Sequence, residues 1–406
     1  MDNEKSTDKG LGAFATGKYR NLFVEAGRSE EQVAEKVDKA FEQLFYGNSN
    51  NESVYFSAGT NDNGALAYIL DIYHQDVRSE GMSYGMMIAV QLNKKTEFNA
   101  LWNWARTYMY HDLLNHPSFG YFSWHMKTDG TAIDETPASD GEEYFAMSLY
   151  FAAGRWGSGK GIYNYKAAAD KIVSDLKNRK VITGSTINGI RTTGSIFDRE
   201  RKMVLFVPLL EYCCFTDPSY HLPAFYELWA LWGPPEDKEF WKEAAQISRE
   251  FFVKTTNPIT GLSPEYANFD GTPYGSKWND KSVNFGFDAW RTAMNWSMDW
   301  AWWGKDERQR QLSDRLQEFF ESKDITTYGN EWTLDGKQLD KDHSPGLTAM
   351  NATASLAAAN PRAQKFVGEL WKMAIPSGQQ RYYDGMLYML GMLHCSGQFR
   401  IWPPQK

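Results

Sequence analysis

Apolar residues recur along most of this chain at the three-to-four-residue spacing of helices. Ser29 opens a capping box with Gln32, and Val33, Val37, Ala40, Phe41 and Leu44 then form one apolar stripe. Behind Pro234 and Pro235, Asp237 is placed to cap a helix over 238–253, where Phe240, Trp241, Ala244, Ala245, Ile247, Phe251 and Phe252 keep helical spacing. Further helices are predicted to begin near Met82, Thr96, Gly141, Lys166, Pro223, Asp288, Asp306, Pro345, Pro361 and Tyr383. That makes about twelve helices of roughly 11 to 17 residues each. Their character alternates. The segments 82–92, 288–303 and 383–394 are apolar or small nearly all round, whereas 96–108 and 307–322 carry polar residues on one side. A helix apolar on every face is buried on every face, and an amphipathic one covers a core. Six hairpins of inner and outer helices describe an all-α, (α/α)6 barrel. The stretches between them (46–79, 113–139, 183–199, 256–287 and 326–344) are polar, aromatic and Gly-rich, and several exceed ordinary loop length. Within one of them, 120–130 reads as a small hairpin turning at Asp129-Gly130.

With no linker, low-complexity tract or charge block, the 406 residues read as one catalytic-sized domain, 1–406, with 1–11 as a flexible tail. Aromatic residues make up 15%, including 16 Trp and 22 Tyr, which fits either an aromatic-rich helical core or flat faces for stacking sugars. A net charge of −8 argues against nucleic acid and polyanionic substrates. No apolar run is long enough to span a membrane, and the polar start lacks a leader pattern. Three cysteines without a disulfide framework fit a reducing compartment, so the expected location is cytoplasmic. His111 and His116 lie five apart, off a common helical face, and no zinc spacing exists; no metal or cofactor is expected.

Four places could carry chemistry. Glu80 precedes a small, apolar helix, where poor hydration would raise its pKa and the helix dipole and Arg78 would oppose the rise. Asp140-Gly-Glu-Glu143 crowds three carboxylates; an ordinary explanation makes Asp140 an N-cap and Glu143 its capping-box partner. Asp288 opens an inward-pointing helix with Arg291 three residues on, close enough to pair, though a simple N-cap would look the same. Asp217-Pro-Ser-Tyr-His-Leu-Pro223 is a rigid turn offering Tyr220 and His221. Several acids and aromatics without a metal suit glycoside hydrolysis, in which one carboxyl protonates the leaving oxygen and another activates water or attacks the sugar.

These residues also carry a resemblance. The stretch Ala138-Ser-Asp-Gly-Glu-Glu-Tyr-Phe-Ala-Met-Ser-Leu-Tyr-Phe-Ala-Ala-Gly-Arg-Trp156 resembles the signature of glycoside hydrolase family 8. Arg78-Ser-Glu-Gly-Met-Ser-Tyr-Gly-Met-Met87 is similar to the segment bearing that family's general acid, and Phe287-Asp-Ala-Trp-Arg291 to the one bearing the general base in its xylanase-type branch. Asp217-Pro-Ser-Tyr-His-Leu-Pro-Ala-Phe-Tyr226 and Arg381-Tyr-Tyr-Asp-Gly-Met-Leu-Tyr-Met-Leu390 match that branch too. The likeness runs from about Gly12 to Pro403 and is strongest to the reducing-end xylose-releasing exo-oligoxylanases.

The resemblance implies an (α/α)6 barrel and an inverting reaction on β-1,4-xylosidic bonds. It makes Glu80 the general acid, Asp288 the general base and Asp140 the acid that binds and distorts the sugar at the cleavage subsite. Tyr220 would stand near the attacking water, Arg291 would orient the base, and Trp124, His343 and Tyr383 would contact substrate. The expected substrate is a xylo-oligosaccharide and the expected state a monomer, without cofactor, nucleic acid or membrane. One departure stands out. Exo-acting members carry Leu-His-Pro in the loop that closes the cleft, where this chain reads Lys341-Asp-His-Ser-Pro-Gly346, with Asp342 in place of the Leu and the Pro displaced by one. An open cleft would make the enzyme an endo-acting xylanase or another β-glycanase. A catalytically dead sugar-binding protein and a lyase using Tyr220 and His221 are the readings from other classes.

Overall fold

Twelve helices of nine to eighteen residues alternate between partly exposed and almost wholly buried, as the sequence pattern predicts. They are seen in a computed structural model that describes residues 12–404; the expected tail, 1–11, lies outside the described residues. The outer helices are Glu30–Tyr46, Lys95–Trp104, Tyr165–Asn178, Lys238–Thr255, Arg308–Glu321 and Ala363–Lys372. Between them run the inner helices Ser79–Gln91, Ser139–Trp156, Pro223–Trp232, Phe287–Trp303, Pro345–Thr353 and Arg381–Cys395. The first inner helix packs against both the second and the last, which closes the ring. This is the (α/α)6 barrel.

The connectivity fixes where a site can lie. Each outer helix returns the chain, so all six inner helices run in the same direction and their N-termini share one end of the barrel. Glu80, Asp140, Asp288 and Tyr382 each occupy the second position of an inner helix. Two glycines let these ends approach. A Cβ on Gly141 would lie 2.6 Å from Ser79 Oγ, and one on Gly81 would lie 2.6 Å from the Tyr382 ring. Neither helix start tolerates a side chain there without moving its neighbour.

The capping box of Ser29 and Gln32 forms as expected. Three other expectations are corrected. Asp237 does not cap Lys238–Thr255 through its side chain; its carboxylate binds Lys177 and Asn178 instead. Ala138, not Asp140, is the N-cap of Ser139–Trp156, so no capping box forms and Glu143 points into the core. Gly286, rather than Asp288, caps Phe287–Trp303.

The long loops hold short strands. His125–Met126 pairs with Ala132–Asp134 around Asp129-Gly130, so the turn is where the sequence puts it while the strands lie about five residues later. Val77–Arg78 pairs with His125–Met126 as a third strand, and Ser79 N–H donates to the Trp124 carbonyl at 3.0 Å. That sheet places Trp124 beside the start of the helix carrying Glu80. Many tryptophans are structural: Trp102, Trp104, Trp229, Trp241, Trp296 and Trp302 are fully buried. Among the described residues no helix is long and apolar enough to cross a membrane, and the three cysteines are free.

Candidate active site

Arg291 joins the acids that the chain keeps far apart. Its Nη1 donates to Glu80 Oε2 at 2.9 Å, to Asp140 Oδ2 at 3.0 Å and to the Tyr84 hydroxyl at 2.8 Å. Its Nη2 donates to Asp288 Oδ1 at 2.8 Å. Glu80 Oε2 and Asp288 Oδ1 therefore stand no more than about 8 Å apart, two bond lengths plus the width of one guanidinium fork. That bound admits the roughly 6.5–9.5 Å separation with which two carboxyl groups hold a water between them and a sugar.

The acids differ in surroundings. Glu80 is raised to about 7: burial lifts it, Arg291 and Arg78 pull against the rise, and the charges of Asp140 and Asp288 add to it. Its other oxygen accepts from the Tyr382 hydroxyl at 3.0 Å. Asp140 is also raised by burial against the pull of Arg291, and its Oδ1 accepts the Gly141 N–H at 2.8 Å. Asp288 is the most open of the three, with its side chain 28% exposed against 18% for Glu80 and 6% for Asp140. One carboxyl poised to hold a proton near neutrality, with a more open acid across an arginine, is an arrangement suited to acid–base work.

Two cavities, of about 650 and 470 Å³, share Arg78, Glu80 and Asp288 as lining residues. The smaller is aromatic: Trp124, Phe206, Tyr212, Tyr220, Tyr266 and Trp278 line it. Tyr220 lies under the Arg291 guanidinium at 5.7 Å and parallel to Phe206. The larger is acidic, with Asp71, Glu331, Asp340, Asp342 and Asp384 on its walls beside His343 and Tyr383. Every predicted site residue thus lines this groove or, in the case of Arg291, ties its acids together. Trp124 carries the Arg78 guanidinium 5.8 Å from its ring. Tyr383 donates to the Phe287 carbonyl at 2.8 Å. His343 has both ring nitrogens engaged within the protein, Nδ1 with the Tyr328 carbonyl at 2.8 Å and Nε2 with Thr348 Oγ1 at 3.3 Å, so it offers the groove a wall.

Sequence reasoning missed Tyr382, Tyr84 and the aromatics Phe206, Tyr266 and Trp278. Tyr382 was within reach: its helix starts at Arg381, two residues before the expected Tyr383, and that shift turns Tyr382 toward Glu80. His221 takes no part in the groove. Its ring is buried between Thr216 and Ser248, at 3.1 and 2.9 Å, and burial lowers it to about 3. A lyase pair with Tyr220 is therefore not formed. His111 and His116 do meet, contrary to the spacing argument, because they sit on a loop; with Glu135 their ligand atoms lie within 4.8 Å. The rings stack 4.0 Å apart and 5° from parallel, so their in-plane lone pairs cannot converge on one ion. His116 Nδ1 already accepts the Ser118 N–H, and His111 Nε2 contacts Ser123 Oγ.

Known proteins resemble this chain over nearly its whole length. The family model for glycosyl hydrolases family 8 matches residues 71–397. The reducing-end xylose-releasing exo-oligoxylanase Rex8A of Paenibacillus barcinonensis is 43% identical over 97% of this chain and 99% of its own. A reducing end xylose-releasing exo-oligoxylanase of Halalkalibacterium halodurans is 42% identical over 97% of both. Among solved structures, a GH8 xylanase from Teredinibacter turnerae, a catalytic mutant bound to xylohexaose, superposes with a TM-score of 0.96 at 53% identity. It covers 97% of this chain and 100% of that one.

Proposed function

The chain belongs to glycosyl hydrolases family 8 and is a glycoside hydrolase, and from that premise we propose that it cleaves β-1,4-xylosidic bonds with inversion, releasing xylose from the reducing end of short xylo-oligosaccharides. The observation that carries the substrate is the near-full-length match to relatives named for that activity. In this reading the sugar chain lies across the groove with the scissile bond between Glu80 and Asp288. Glu80 gives its proton to the leaving oxygen as the glycosidic C–O bond breaks. A water gives its proton to Asp288 as its oxygen bonds to the anomeric carbon from the opposite face. Arg291 holds both carboxyl groups and Asp140 in one frame, and Asp140, the most buried of the three, faces the sugar ring. The aromatic wall suits the apolar faces of xylose rings.

A second reading, endo-acting xylanase, is favoured by two observations. Asp342 stands in the cleft-side loop where the exo pattern has Leu, and the 53% identical relative is a xylanase seen with xylohexaose. A time course on xylotriose and on polymeric xylan separates them. Xylose from the first samples, with polymer nearly untouched, is the expected result; longer oligomers appearing first from polymer would establish the endo reading.

The raised Glu80 sets a pH limit. A general acid works only while protonated, so kcat is expected to fall above about pH 7, roughly tenfold per further pH unit. A pH profile of kcat reads this directly, and a plateau continuing to pH 9 would remove Glu80 as the proton donor.

A further inference from the structure

Glu143 lies outside the groove, yet it connects to it. Its side chain is fully buried one helical turn beyond Asp140. Oε1 is 2.6 Å from the Tyr226 hydroxyl, and Oε2 has no hydrogen-bond partner. The same hydroxyl is 3.2 Å from the backbone carbonyl of Tyr220. Tyr226 is itself fully buried, so no solvent reaches this chain of contacts.

One hydrogen between two acceptors leaves two arrangements. The Tyr226 hydroxyl has one hydrogen, and a backbone carbonyl can only accept. If Tyr226 gives its hydrogen to Tyr220, the short contact to Glu143 must be donated by Glu143. An ionised Glu143 would take the hydrogen instead, leaving the Tyr220 carbonyl without this donor and a carboxylate in the core with one partner. Burial drives Glu143 far above the ordinary carboxyl range; the contact with Tyr226 pulls against that rise, and Asp140, another acid, adds to it.

The carbonyl at the end of this relay belongs to a residue that is otherwise closely held. Asn295 Nδ2 donates to the Ser219 carbonyl at 2.6 Å, and Asp217 caps the short turn Pro218–Tyr220 through the Ser219 N–H at 2.7 Å. The turn presents the Tyr220 ring to the groove beneath Arg291. We propose that Glu143 is a positioning residue that carries a proton in the folded enzyme, donating to Tyr226 so that Tyr226 donates to the Tyr220 carbonyl and fixes the Tyr220 phenol at the point of cleavage. The catalytic consequence rests on the groove being the site of xylosidic cleavage; the protonation of Glu143 does not.

Two measurements on the whole chain test it. Infrared difference spectra of the parent against Glu143→Gln at neutral pH are expected to show the carbonyl stretch of one protonated carboxylic acid lost on substitution. A lost carboxylate band in its place would overturn the proposal, whatever the substrate proves to be. In kinetics on xylotriose, Glu143→Leu and Tyr226→Phe are each expected to lower kcat roughly 10- to 100-fold with KM little changed, the scale of a misplaced group. Their combination is expected to be no worse than either, because both break one chain. Glu143→Gln, whose amide can still donate to Tyr226, is expected to restore most of kcat. Equal loss in the Gln and Leu variants, or parental kcat in Tyr226→Phe, would contradict it. Should Glu143→Leu fail to fold, Tyr226→Phe and Glu143→Gln still decide.

Discussion

Glu80→Gln is expected to lower kcat on xylotriose by on the order of 10²–10⁴, the usual contribution of a positioned proton donor. The amide keeps the shape and can still meet Tyr382 and Arg291, the two groups that hold Glu80 in place. What it lacks is the proton that burial retains to about pH 7. The loss should therefore depend on the leaving group. A sugar oxygen departs poorly without protonation, whereas a nitrophenolate departs well. A nitrophenyl xylobioside is expected to lose far less activity than xylotriose, and the alkaline fall in the pH profile should vanish with the carboxyl. Parental turnover of xylotriose by this variant would take Glu80 out of the mechanism.

Asp288→Asn carries the complementary expectation, a fall of the same order, 10²–10⁴, that does not depend on the leaving group. Asp288 is held by Arg291 through one oxygen and is the most open of the three acids, which suits the base role proposed for it. Water attack requires this acceptor whatever departs from the other face, so nitrophenyl xylobioside and xylotriose should suffer alike. Recovery on the activated substrate would give Asp288 the role assigned to Glu80. Circular dichroism and thermal melting check that each variant remains folded, since both residues touch the buried Arg291.

The barrel was legible because its evidence is local. Apolar-all-round segments such as 288–303 and 383–394 and one-sided ones such as 307–322 state which helices are inside, and alternation states that the inner ones run parallel. Pairing of Asp288 with Arg291 was legible for the same reason, three residues on one helix. The bonds from Arg291 to Glu80 and Asp140 were not, because they cross 211 and 151 residues and depend on which helix ends meet. Glu143 was misread because the capping rule assumes Asp140 at the N-cap; with Ala138 there, the same residue turns inward. Tyr382 and the His111–His116 stack were lost to small errors of phase, a helix start displaced by two residues and a loop judged by helical geometry. The aromatic wall of Phe206, Tyr266 and Trp278 comes from irregular loops, where no period announces which face a ring will take.

The roles proposed for Glu80 and Asp288 on opposite faces of the sugar make a stereochemical claim that a single spectrum reads. Proton NMR of xylotriose during the first minutes of hydrolysis follows the anomeric signal of the newly formed reducing end, before mutarotation mixes it. The α anomer appearing first, with β growing in later, is the predicted result. A product that forms as β from the start would mean retention, and would contradict a water placed between Asp288 and the sugar.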